Sequence, residues 1–120
     1  MNFDKYTQNA QAAVADCQNI AIENGQQQLE GEHLHLALLR QRDGLVSKLL
    51  TYMGLDVSAL ERQVQGEIDK LPKVSGGSDQ LYASRRFSQL LLAAEKNAEQ
   101  FKDEYVSVEH LYLALLDEHN

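Results

Sequence analysis

Two near-identical segments hold most of the residues that could support metal binding or acid–base chemistry. The segment Glu32 to Leu39 reads EHLHLALL, and the segment Glu109 to Leu116 reads EHLYLALL. Glu32 and His35 form a Glu-x-x-His pair, the spacing that places two metal ligands on one helix face in di-iron bundles. The second segment carries Tyr112 in place of the histidine. A symmetric metal centre would need the motif twice, so this substitution argues against one.

The other reactive residues fall where a structural role is favoured. Cys17 is the single cysteine, so no disulfide within the chain and no four-thiol zinc site can form. It lies on an apolar helical stripe, where cysteine acts as a small hydrophobe, and His33 and His110 fall at helix starts. No Gly-x-Ser-x-Gly, Walker or dinucleotide-binding motif occurs. We therefore expect no catalytic residue, cofactor or metal in this chain. A small metalloprotein or hydrolase remains a distant alternative, which metal analysis of the purified chain would detect.

Length and composition indicate one soluble domain. The chain has 120 residues, of which 43% are hydrophobic and 24% charged, so it is neither disordered nor fibrous and can bury one core. The formal charge of −7 argues against nucleic acid or anionic membrane as a partner, because phosphates call for a basic surface. No signal peptide or membrane-spanning run is present in the sequence. A cytoplasmic location is the default expectation.

The pattern predicts an all-α fold. Pro72 is the only proline, helix-forming residues dominate, and no stretch alternates apolar and polar residues for long. Thr7, Asp56 and Ser84 are candidate N-caps, whereas Gly25 and Gly54 are candidate helix stops. The predicted helices cover about 7–24, 32–39, 46–53, 56–71, 85–101 and 108–120.

An internal repeat with a shift of 77 positions relates the two halves. The shift that takes Glu32 onto Glu109 also takes Ala10 onto Phe87 and Cys17 onto Ala94, which indicates duplication. The small residues of the first helix and the larger residues of the fifth favour close packing of the two. We predict one domain over 1–120, with a first repeat at about 4–71, a linker at 72–83 made flexible by Gly76-Gly77, and a second repeat at 84–120.

The second repeat is expected to be incomplete. The third and fourth helices of the first repeat begin near Leu45, and their counterparts would begin at about position 122, beyond Asn120. We therefore expect this chain to be part of a longer protein. Apolar surface near the C-terminal helix, which the missing helices would cover, should then be exposed.

Three features together resemble the N-terminal domain of the ClpB-type AAA+ disaggregases, within the Clp N-terminal repeat family. They are the duplicated EHLxLALL helix, the linker LPKVSGG and the segment DEYVSVEHL. The resemblance covers the whole chain, and the linker favours the ClpB type over the ClpA and ClpC types. It implies a non-catalytic, Clp N-terminal-type helical domain that binds unfolded or aggregated polypeptide.

The resemblance also implies partners and an alternative function. The domain would deliver polypeptide to the hexameric threading ring of its parent protein, alongside an Hsp70-type co-chaperone system. ATP and magnesium would belong to the parent's other modules. The alternative is an adaptor-docking N-terminal domain of a proteolytic Clp ATPase, which would bind a folded adaptor protein.

The resemblance further implies a substrate-binding set at Thr7, Asp103 and Glu109. An apolar groove would map onto Leu91, with His110 at its edge. Structural roles stand beside these: Thr7 caps the first helix, Asp103 orders a turn, and Glu109 favours the dipole of the sixth helix. An acidic group beside an apolar groove would suit segments that mix aliphatic and basic residues, which we keep as a hypothesis.

Overall fold

The fold is all-α, as the sequence pattern predicts. The structure, a computed structural model, describes residues 2–74 and 80–118. Within these residues it forms six helices and one two-stranded sheet. The elements are α1 Gln8–Glu23, β1 Gln28–Leu29, α2 Gly31–Arg40, α3 Leu45–Tyr52, α4 Val57–Asp69, β2 Tyr82–Ala83, α5 Arg85–Gln100 and α6 Val108–Glu118.

Local capping chemistry sets the helix ends. Thr7, Asp56 and Ser84 each accept a hydrogen bond from the backbone N–H three residues later, at 3.2, 3.1 and 3.0 Å. This bond satisfies one of the free donors in the first turn of a helix. Gly25 and Gly54 follow α1 and α3 with φ angles of +69° and +86°, a region that glycine enters without steric cost. The five predicted signals are therefore confirmed.

Short parallel pairings, which the sequence analysis missed, join the two halves. β1 pairs with β2, bringing Leu29 opposite Ala83, and an isolated parallel bridge joins Tyr6 to Val106. The shift of 77 takes Tyr6 onto Ala83 and Leu29 onto Val106, so each pairing maps onto the other when the halves are exchanged. Two pairings that map onto each other in this way indicate an approximate two-fold relation between the halves. Pairings this short leave no alternating pattern in the sequence.

The helices pack mainly within each half. α1 packs against α2, and α5 packs against α6, whereas α2 and α6 meet at the centre. The expectation that the small stripe of α1 would interlock with the larger stripe of α5 is wrong. Cys17 and the alanines of α1 instead lie in the core, where α2 supplies the larger side chains.

Equivalent leucines on α2 and α6 differ sharply in burial. Leu36 and Leu39 of α2 are 1% and 0% exposed, but their counterparts Leu113 and Leu116 on α6 are 40% and 50% exposed. α2 is covered by α1, α3 and α4, and α6 by α5 and more lightly by α3, α1 and α2. One apolar face of α6 is therefore open within the described residues.

The predicted linker at 72–83 is only partly described. Its last residues, Tyr82–Ala83, form β2, and the backbone N–H of Val74 donates a 2.9 Å hydrogen bond to the carbonyl of Gly25. Gly76-Gly77, where flexibility is predicted, lies outside the described residues. None of the helices in 2–74 and 80–118 is long and apolar enough to cross a membrane.

Candidate functional site

An apolar concavity lies between α3 and α6, beside the start of α4. We call it the α3–α6 groove. It encloses about 430 Å³. Its walls are Leu45, Val46, Leu49 and Leu50 from α3, Met53 and Leu55 from the turn between α3 and α4, Leu60 from α4, and Glu109, Tyr112, Leu113 and Leu116 from α6.

The groove exists because both helices turn apolar residues outward. Val46 and Leu50 of α3 are buried, while Leu49 of α3 and Met53 just after it stay more than half exposed. On α6, Leu113 and Leu116 are 40% and 50% exposed beside a buried Leu115. A contiguous exposed apolar patch on a small protein marks an interaction surface more often than scattered single residues do. The arrangement suits reversible burial of aliphatic side chains.

The polar groups of the groove are few. Among the residues that the structure describes, Glu109 is the only charged one in its lining. The Tyr112 hydroxyl already forms a 3.0 Å hydrogen bond with Nε2 of His35, and burial raises the pKa of this tyrosine. The floor therefore offers apolar contact, and Glu109 lies at its edge as an exposed residue.

A second cavity of about 600 Å³ lies on the other side of the His35–Tyr112 pair. Glu32, Glu67 and Glu118 contribute carboxylates to its lining. Glu118 forms a 3.0 Å ion pair with Arg86, and Glu67 forms a 3.5 Å ion pair with Lys70. These ion pairs already engage two of the carboxylates, so this cavity is a weaker candidate than the α3–α6 groove.

Two of the predicted site residues, Asp103 and His110, bind each other. Nε2 of His110 lies 2.8 Å from Oδ2 of Asp103, and Nδ1 of His110 accepts a 2.9 Å bond from the backbone N–H of Ser107. Since Nδ1 accepts a hydrogen bond, the geometry fits a ring that donates from Nε2. His110 is buried although Asp103 is exposed. The pair ties the loop before α6 to the first turn of that helix.

Ser107, His110 and Asp103 are the residue types of a Ser-His-Asp triad, and the two arrangements can be compared. The Ser107 hydroxyl lies 2.9 Å from Nδ1 of His110. That lone pair already accepts the Ser107 backbone N–H, so it is not free to act as a base as the mechanism of such triads requires. The arrangement is instead one half of a capping box, in which the side chain of His110 accepts from the backbone N–H of Ser107 and takes the place of the usual Glu or Gln.

The first repeat contains the same arrangement without a hydroxyl. Nδ1 of His33 accepts a 3.0 Å bond from the backbone N–H of Glu30, and Nε2 lies 2.6 Å from Oε1 of Gln26. Gln26 in turn donates a 2.7 Å hydrogen bond to the carbonyl of Ile68 at the end of α4. The shift of 77 maps Glu30, His33 and Gln26 onto Ser107, His110 and Asp103. The repetition supports a structural role for both histidines, and the identical histidine in both EHL motifs was the sequence signal for it.

Thr7 and Glu109 occupy different surroundings. The Thr7 hydroxyl caps α1, and the Thr7 backbone N–H donates a 2.9 Å hydrogen bond to the carbonyl of Val106. Glu109 is exposed in the first turn of α6 and lines the α3–α6 groove. The structure therefore brings Thr7 near the Asp103–His110 loop through Val106, and it places Glu109 alone at the groove. A substrate-binding role for any of them stays a prediction.

Leu91 does not line an open groove. It is 3% exposed and belongs to the core, because the stripe of α5 that includes Leu90 and Leu91 faces α6. The third leucine of the run, Leu92, is 57% exposed, as expected where one stripe cannot hide three consecutive side chains. The groove residues of α3 were not predicted from the sequence, where their signal is a short helix with too many apolar positions for one buried face.

No cluster of three or more metal-ligating side chains occurs in residues 2–74 and 80–118. His35, proposed as half of a Glu-x-x-His pair, points its Nε2 at Tyr112. Cys17 is fully buried, and burial raises the pKa of its thiol, which is the behaviour of an inert core cysteine.

Comparison with known proteins places this architecture in a family. The sequence profile described as "Clp repeat (R) N-terminal domain" matches residues 5–120. The chain belongs to the Clp N-terminal domain family. That domain is a non-catalytic module of ClpB-type proteins.

Relatives and solved structures agree with this assignment. The chain is 43% identical to the chaperone protein ClpB of Nitratidesulfovibrio vulgaris and 40% identical to that of Clostridium perfringens, each over 98% of this chain and 14% of the relative. The Hsp104 N-terminal domain from Candida albicans is similar at a TM-score of 0.87 and 26% identity, covering 97% of this chain and 76% of that one. This Clp N-terminal domain thus spans only a small part of the curated relatives' length.

Proposed function

We propose that this chain is the substrate-recognition domain of a ClpB-like disaggregase and that its α3–α6 groove binds apolar segments of unfolded or aggregated polypeptide. The observation that carries the proposal is the open, almost wholly apolar groove on a domain homologous to the N-terminal domains of ClpB and Hsp104. Folded proteins bury the side chains that fit such a surface, whereas unfolded chains expose them. The groove would therefore discriminate by folding state rather than by sequence.

Binding is expected to be weak. Burying one aliphatic side chain contributes about 1.5–3 kcal/mol, and association costs several kcal/mol in lost freedom. A groove that accepts two or three such side chains gains about 3–9 kcal/mol before that cost, which leaves dissociation constants roughly in the millimolar range. Weak binding suits a domain that passes polypeptide to an ATP-driven ring. In this proposal ATP, magnesium, the ring and any Hsp70-type partner act through the rest of the parent protein.

The test measures binding of a fluorescently labelled, permanently unfolded protein by anisotropy. Leu49→Asp places a charge on the groove floor and should weaken binding by at least about tenfold. Leu92→Asp is the matched control, since Leu92 is as exposed as Leu49 but lies on α5 outside the groove. Equal affinities for the two variants would contradict the proposal.

The adaptor-docking alternative predicts that the domain binds a folded protein. The same unfolded protein should be compared with its folded form at equal concentrations. Binding of the unfolded form alone supports recognition of clients. Binding of a folded protein at the α3–α6 groove, with no preference for unfolded chains, would replace this function by adaptor docking.

A further inference from the structure

We propose that His33 is a pH-sensitive switch, whose protonation releases the end of α4 and the β1–β2 pairing from the start of α2 while the loop before α6 stays closed. The opening is local and precedes the unfolding of the whole domain. The switch does not depend on the function of the α3–α6 groove, so each can fail without the other.

The His33 ring makes two hydrogen bonds that require opposite roles from its two nitrogens. Nδ1 accepts a 3.0 Å bond from the backbone N–H of Glu30, and Nε2 lies 2.6 Å from Oε1 of Gln26 and therefore donates. Both bonds form together only in the neutral ring that carries its hydrogen on Nε2. A second proton, on Nδ1, would direct a donor at the N–H of Glu30, and that bond would be lost.

Each of the two bonds continues into another element of the fold. Gln26 donates a 2.7 Å bond from Nε2 to the carbonyl of Ile68, near the end of α4. The Glu30 carboxylate accepts a 2.7 Å bond from the hydroxyl of Ser84, which caps α5. The backbone N–H of Ser84 in turn donates to the carbonyl of Leu29 in β1. One buried ring therefore joins α4 and the β1–β2 pairing to the start of α2.

The surroundings of the ring oppose a positive charge. His33 is 0% exposed, and burial lowers its pKa, which Glu32 on the same helix opposes only in part. Gln26, which reaches the ring from the turn after α1 and connects it to α4, is neutral. The Glu30 carboxylate is engaged by Ser84. Charged residues on the helices around α2 form ion pairs of their own, Glu23 with Arg40, Arg42 with Glu61, Glu67 with Lys70 and Arg86 with Glu118.

The equivalent histidine of the second half has an acceptor oxygen beside each ring nitrogen. The Ser107 hydroxyl oxygen lies 2.9 Å from Nδ1 of His110, and Oδ2 of Asp103 lies 2.8 Å from Nε2. A protonated ring could donate to the hydroxyl on one side and to the carboxylate on the other. The two halves should therefore respond differently to acid, although their histidines occupy equivalent positions.

Hydrogen exchange followed by mass spectrometry tests the switch, with exchange rates corrected for the intrinsic effect of pH. From pH 7.5 to pH 5.5 the opening of segments 26–34, 64–70 and 81–88 should increase several-fold. The increase is at most about tenfold, because one proton is taken up below the usual histidine pKa of about 6.5. The segment 103–112 should keep its protection.

Two variants locate the response. His33→Gln keeps an acceptor and a donor on its side chain but does not titrate, so acid should no longer open the three segments. His110→Gln is the matched control at the equivalent position of the second half, and it should retain their opening. The same increase in His33→Gln as in the unmodified chain would overturn the switch. An equal increase in segment 103–112 would also overturn it, since acid would then open the whole domain.

An NMR titration of the unmodified chain tests the same contacts without a variant. The ring signals of His33 should titrate below about pH 6.5, and the amide signals of Glu30 and Ser84 should change with the same midpoint. A ring that titrates while the Glu30 amide stays constant would contradict the proposal, because the bond to Nδ1 would then survive protonation.

Discussion

His35 and Tyr112, which occupy equivalent positions in the two halves, are joined to each other by a 3.0 Å hydrogen bond between Nε2 and the tyrosine hydroxyl. Their rings meet edge to face with centroids 5.2 Å apart. A residue that touches its own counterpart lies at the approximate two-fold relation between the halves. The one substitution within EHLxLALL thus places two different, complementary polar groups at the junction.

Tyr112→Phe should therefore lower the free energy of unfolding by about 0.5–1.5 kcal/mol, the usual net contribution of such a bond. Chemical denaturation would measure it. Tyr82→Phe is a suitable control because Tyr82 is exposed. A double-mutant cycle with His35→Phe should show coupling of the same order. Additive effects of the two substitutions would contradict a direct interaction.

His33 should make stability depend on pH. Burial lowers the pKa of His33 below its usual value, and the charge of Glu32 opposes this only in part. The unfolded chain, with a histidine pKa of about 6.5, then binds the proton more readily than the folded one. Stability consequently rises with pH through this range, is fully present above about pH 6.5, and is lost progressively as the pH falls below it.

The matched variant for this prediction is His33→Gln, which keeps a side-chain acceptor for the cap of α2 and removes the titration. Urea unfolding at about pH 7.5 and pH 5.5 should show a smaller loss in the variant, by at most about 1.4 kcal/mol per pH unit. An identical pH dependence in both proteins would show that His33 does not titrate between the two states.

Asp103 should act on stability rather than on groove binding. Asp103→Ala removes the acceptor of the buried His110 Nε2, which should cost about 1–3 kcal/mol. Asp103→Asn keeps an acceptor and should cost less. Because Asp103 does not line the α3–α6 groove, client affinity should be unchanged in both. Loss of affinity without loss of stability would instead support the substrate-binding role that the family resemblance implies.

Two leucines of α6 should separate folding from binding. Leu111 is fully buried, so Leu111→Ala should destabilise the domain by about 2–5 kcal/mol. Leu113→Ala, at an exposed groove position, should cost less than about 1 kcal/mol but weaken client binding several-fold. Thermal unfolding and anisotropy measured on the same samples would test this. A large loss of stability in Leu113→Ala would mean that the groove wall belongs to the core.

The helices, their caps and the repeat were predictable from sequence because each depends on local signals. Ser84 and Gly25, for example, act within one turn of the chain. The Tyr6–Val106 bridge was not predictable, since two residues carry no periodicity. The burial of Leu91 and the exposure of Leu113 depend on which helix covers which face. Leu91 and Leu113 both belong to apolar helical segments, so the sequence pattern does not distinguish them. Only the packing of the helices does.

The most direct test of the account is an NMR titration of this chain with a permanently unfolded protein. The account predicts chemical-shift changes concentrated on the α3–α6 groove, at Leu49, Met53, Leu113 and Leu116, with Leu92 unaffected. It also predicts that Leu49→Asp abolishes these changes. Shifts centred on Asp103 and Thr7 with a silent groove, or no shifts at high client concentration, would contradict the claim that this groove recognises unfolded polypeptide.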